Sequence, residues 1–79
     1  MEVTFATEKQ ITVVEASIIN ILACQVEQVI DNSINKTITA ILILSPGIYK
    51  TVLLWKDDEY DLIGQWKDSD VIDKVKELL

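Results

Sequence analysis

Residues 37–55 constrain this chain more than any other stretch. Thr37-Ile38-Thr39-Ala40 opens in strict polar/apolar alternation and then runs into the continuous apolar segment Ile41-Leu42-Ile43-Leu44. Alternation marks a strand with one face in a core, and a run apolar at every position marks a strand flanked by protein on both sides. Ser45-Pro46-Gly47 then breaks the run. Proline presets φ near −65° and glycine supplies positive φ at no steric cost, which together make a tight reversal. Ile48–Trp55 is β-branched, aromatic and apolar, so it returns as the partner strand of a hairpin.

The rest of the chain extends the same theme. Ile, Val and Thr supply about a third of the residues, a composition suited to pleated, half-buried surfaces. Strands are expected near residues 2–6, 11–16, 23–31, 36–44 and 48–56, with polar Thr7-Glu8-Lys9-Gln10 closing the first. Asp31-Asn32-Ser33-Ile34-Asn35-Lys36 reads as a turn, because Asp, Asn and Ser side chains bond their own backbone. Lys56-Asp57-Asp58-Glu59 reads as another, with Tyr60–Ile63 returning toward the sheet. A helix is expected over 69–79: Asp68 or Ser69 caps it, and Val71, Val75, Leu78 and Leu79 form one apolar stripe. Asp70 and Lys74 are spaced for an i, i+4 ion pair. Residues 17–30 carry two readings. Ile18, Ile19, Leu22, Val26, Val29 and Ile30 recur at helical spacing, whereas Cys24, Val26, Gln28 and Ile30 would share one face of a strand. The expected fold is α+β, mainly β: a single-domain antiparallel β-meander of about five strands with a C-terminal helix packed on it.

What the chain lacks narrows its chemistry. Its 79 residues include no histidine and one cysteine, Cys24, set in an apolar run. A Ser-His or Cys-His nucleophile cannot be assembled, and a zinc site of the usual Cys/His type has no ligand set. Cys24 reads as a small buried hydrophobe. Asp57, Asp58, Glu59 and Asp61 form the densest carboxylate cluster but lack the spaced pattern of a calcium loop, so they read as a solvated turn. No catalytic residue, metal ligand or cofactor site is expected, and the chain does not read as an enzyme. Thirteen acidic residues stand against seven lysines, with no arginine, a net charge of −6 that repels phosphate backbones and disfavours nucleic acid. No signal segment or bilayer-length apolar run is visible.

Two features favour contact with protein. Trp55, Tyr60 and Trp66 are the candidate interaction residues, since Trp and Tyr dominate interface hot spots, although the favoured reading is that they lock strand, turn and helix together as the aromatic part of the core. In addition, 49% of the residues are hydrophobic and several strands are apolar on both faces, more than so short a chain readily covers. A homo-oligomer or a subunit of a larger assembly is expected.

Val29-Ile30-Asp31-Asn32, Leu54-Trp55, Tyr60-Asp61, Gly64-Gln65-Trp66, Asp68–Val71 and Glu77-Leu78-Leu79 give residues 29–79 a resemblance to small uncharacterised proteins of tailed bacteriophages and prophages. The chain departs from that pattern at Ser33, where proline often follows Asp-Asn, and at Lys67, where a capping Thr or Ser is common. The resemblance implies strand for the second half of residues 17–30. It also implies a non-enzymatic structural or accessory role in virion assembly, in the cytoplasm of a bacterial host or in the virion. The alternative from another class is a small acidic modulator that binds a host protein.

Overall fold

The computed structural model describes residues 1–13 and 17–79. Four strands, β1 (Glu2–Thr12), β2 (Ile18–Asn32), β3 (Thr37–Ser45) and β4 (Ile48–Lys56), form one antiparallel sheet in the order β1-β2-β3-β4. Two helices follow, α1 (Asp58–Ile63) and α2 (Asp68–Leu78). The meander and its terminal helix are as the pattern predicts; the element count differs.

Two of the five expected strands are one. Thr7-Glu8-Lys9-Gln10 does not end the first strand but lies within β1, which runs on to Ile11 and Thr12. Thr4 pairs with Ala23 and Lys9 with Ile21, so β1 advances five residues while β2 advances two. A bulge holds the surplus, which lets a polar segment stay in a strand with its side chains in solvent. Of the rest of the strand expected at 11–16, Val13 lies past the end of β1, and residues 14–16 lie outside the described residues.

The ambiguous stretch is strand along its whole length, since β2 takes in all of Ile18–Asn32. Its apolar residues recur at helix-like spacing because both faces carry them: Ile19, Val26 and Val29 pack on the core, whereas Ile18, Leu22 and Ile30 are exposed. The inward set itself changes parity between Ile21 and Cys24, opposite the bulge of β1.

The 37–55 hairpin forms as the turn chemistry requires, with Gly47 at φ 77° between β3 and β4. The 31–36 turn also forms. Asn32 Oδ1 accepts bonds from the backbone N–H groups of Ile34 and Asn35, both at 3.1 Å.

The segment from Tyr60 to Ile63 does not return as an extended piece; it is the short helix α1. The reversal into it falls on Asp57, at φ 51° and ψ −118°, and the exit on Gly64, at φ 58° and ψ −122°. In α2 the N-cap is Lys67 rather than Asp68 or Ser69, because Asp70 reaches back and its Oδ2 accepts the Lys67 backbone N–H at 2.8 Å. That engagement leaves Lys74 to other carboxylates: it pairs with Glu77 at 3.5 Å and Glu59 at 3.8 Å instead of Asp70.

The core lies between one sheet face and α2. On β3, Ile38, Ala40, Leu42 and Leu44 are all buried. Val71 and Val75 of α2 are fully buried against this face, and α2 reaches both edge strands, β1 and β4.

Candidate interaction surface

The alternate residues of β3, from Thr37 to Ser45, point to the other face, and among the described residues no helix covers them. Strand pairing extends each into a row. Ile30, Thr39 and Leu53 form one row, Gln28, Ile41 and Thr51 the next, and Gln25, Ile43 and Tyr49 a third, which Glu2 of β1 extends. Paired residues of neighbouring strands share a face, so these rows make one continuous surface. Its β3 residues are half-buried by their neighbours, while Ile30, Leu53 and Tyr49 remain 41%, 44% and 56% exposed. Half-exposure of several large apolar groups on one face is what separates this surface from a solvated sheet.

Charge is sparse on it. Glu2 occupies the β1 edge of the third row, and Lys56 stands beside Thr37 at the far corner on β4. Glu27, the exposed extra residue of the β2 bulge, lies next to Gln28. Gln25 Nε2 donates to Glu2 Oε2 at 3.1 Å, which holds that carboxylate over the sheet. Beside it, Ala23, Cys24, Ile43, Leu44 and Pro46 line a shallow groove of about 270 Å³ with Glu2 at its rim.

The three aromatic candidates are elsewhere. Trp55 pairs with Ile38 and is buried at 7% exposure, part of the inner core. Tyr60 and Trp66 are half-buried and pack against the same core. The Tyr60 hydroxyl donates to Asp31 Oδ1 at 2.7 Å and so ties α1 to the end of β2. That hydrogen bond, with the negative field of Asp31 and Asp61, raises the Tyr60 phenol above its ordinary value. Lys36 Nζ meets Asp61 Oδ2 at 3.0 Å, a second tie between the 33–36 turn and α1, both partners about half exposed. The structure therefore joins Tyr60 to its surroundings as a clasp and does not gather the three aromatics into a patch.

The acidic run is likewise dispersed along α1. Among the described residues no group of three or more Cys, Asp or Glu side chains converges as a metal site. Cys24 is buried at 4% exposure, and burial pushes its thiol up. Among the described residues no helix is long and apolar enough to cross a membrane.

Sequence reasoning anticipated an uncovered apolar sheet face but did not single out its residues, because they alternate with the core. The signal was present in the β3 run: an apolar residue at every position from Ala40 to Leu44 means apolar groups on both faces. No family model, curated protein or solved structure matches the chain.

Proposed function

We propose that this chain is a non-enzymatic, phage-type structural or accessory protein whose working state covers the open sheet face with protein. One observation carries the reading. The face that α2 leaves open presents Ile30, Ile41, Ile43, Tyr49 and Leu53 together, and its charged groups stand at its margins and in the β2 bulge. Apolar area of this kind gains by leaving water at roughly 25 cal/mol per Å². The acidic residues of α1 and α2 lie away from the face and keep the particle soluble while the sheet associates. The phage-type assignment rests on the residue pattern of 29–79 alone.

Dye binding with hydrodynamics tests the reading. The protein is expected to sediment above its 8.9 kDa chain mass, or to bind an environment-sensitive naphthalene sulfonate dye at the open face when monomeric. Ile43→Glu is expected to abolish either signal while leaving the far-UV spectrum unchanged. A monomer that binds no dye overturns the proposal.

A further inference from the structure

Resting on that reading, the geometry points to a second copy of this chain as the occupant of the open face, packed on it across a two-fold axis. Two features support this partner: one selects it over an unrelated protein and the other shows that the face is large enough.

The first is charge placement. Glu2 and Glu27 belong to the β1–β2 half of the face and Lys56 to the β4 edge at the opposite corner. A two-fold interface brings residue i of one copy against residue j of the other, and j against i. An axis perpendicular to the Glu2–Lys56 diagonal places each lysine over the other copy's carboxylates, twice per dimer. Ile41, in the middle row of the central strand β3, then falls near the axis and meets its own counterpart. Leu53, one row in from Lys56, is carried toward the groove that Glu2, Ala23, Ile43 and Pro46 help line. The face is thus complementary to itself: acidic rim and apolar groove in one half, lysine and exposed leucine in the other.

The second is area. With a rise of about 3.4 Å per residue and strands about 4.8 Å apart, nine residues of β3 and the neighbouring strands give a footprint of roughly 500 Å². Two such footprints total about 1,000 Å², the area that a specific interface should clear. The broad face is large enough for a dimer without help from the helices.

Sedimentation equilibrium on the whole chain, with Leu62→Glu as a control on exposed α1, tests the proposal. Wild type and the control are expected to form a dimer of twice the chain mass. Lys56→Glu alone is expected to weaken it at least tenfold by setting carboxylate against carboxylate. Adding Glu2→Lys in the same chain is expected to restore most of the loss, because each copy then carries the reversed pair. Two results overturn the inference: a wild-type monomer, or a dimer indifferent to Lys56→Glu. A monomer that still binds the dye at the open face refutes the second copy alone; a monomer that binds none refutes the association reading as well. Circular dichroism on each variant separates loss of dimer from loss of fold.

Discussion

Ile38 and Ile41 lie three residues apart on β3, one facing the core at 1% exposure and the other half-buried on the open face. The same substitution at both therefore measures the difference between the two faces. Ile→Ala removes three carbons. At Ile38 their transfer is worth about 2.4 kcal/mol at about 0.8 kcal/mol each. Leu42, Leu54 and Val71 are also buried in this core, so the walls are packed and a void of about 80 Å³ adds up to about 2 kcal/mol when they do not relax. The expected loss is about 2.5–4 kcal/mol. At Ile41 about half the transfer applies and no sealed void forms, so the loss is about 1 kcal/mol in the monomer. For 79 residues the unfolding entropy is about 0.17 kcal/mol/K, so 1 kcal/mol moves Tm by about 6 °C. Thermal unfolding of dilute protein should show Tm falling by about 15–25 °C for Ile38→Ala and about 6 °C for Ile41→Ala. Equal shifts, or a larger one at Ile41, would refute the assignment of inner and outer faces.

Backbone geometry gives a pair of opposite sign. Asp57 holds positive φ with no side-chain capping bond, so Asp57→Gly should raise stability by about 1 kcal/mol; Gly64→Ala should lower it by about 1–2 kcal/mol, although its new Cβ meets no atom within 4 Å. Thermal melts read both. The Tyr60 phenol is raised in the fold by its bond to Asp31, so its contribution is complete below the ordinary tyrosine value near 10 and is lost as pH rises through the higher folded value. Urea midpoints across pH 9–12 should fall more steeply for wild type than for Tyr60→Phe, and parallel slopes would remove Tyr60 from the account. Cys24 should react with a disulfide reagent slowly in the native protein and readily in urea, since it is both buried and held as the thiol. Prompt native labelling would mean that the β1–β2 end of the sheet opens easily.

Legibility followed how local each signal is. The 37–55 hairpin and the helix near 69–79 could be read from the chain because proline, glycine and a 3.6-residue stripe act within a few positions. The fusion of two expected strands into β1 could not. Thr7 to Gln10 look like a turn until β2 is seen alongside, and only the Thr4–Ala23 and Lys9–Ile21 pairings show the bulge. Residues 18–32 mislead because apolar residues of both faces, Ile19, Val26 and Val29 against the core and Ile18, Leu22 and Ile30 exposed, together space like one helical stripe. Asp57 carries no sequence mark of positive φ, so the reversal into α1 was hidden as well. Aromatic residues drew attention to the clasp around Tyr60 and Trp66, while the open face is built from isoleucine, threonine and glutamine, which carry no motif.

That composition also sets how the face can be used. Helix α2 has 11 residues and is about 16 Å long, while β3 alone is about 30 Å, so one helix cannot cover the sheet twice. The second face must be solvated or covered by another chain. Rows such as Gln28-Ile41-Thr51 satisfy neither demand fully: their polar groups let the monomer persist in water, and their apolar groups still gain by burial. An interface of this kind is reversible, and its strength is added to the stability of the fold by mass action. For two folded copies separating into two unfolded chains, each tenfold rise in concentration adds RT ln 10, about 1.4 kcal/mol per dimer. Spread over the unfolding entropy of two chains, about 0.33 kcal/mol/K, this raises Tm by about 4 °C per decade. Melts from about 1 to 100 µM should therefore shift upward by about 8 °C for wild type, with Lys56→Glu melting below wild type where the wild-type dimer is populated. A wild-type Tm independent of concentration would mean that the sheet meets water, not a second copy, on its open side.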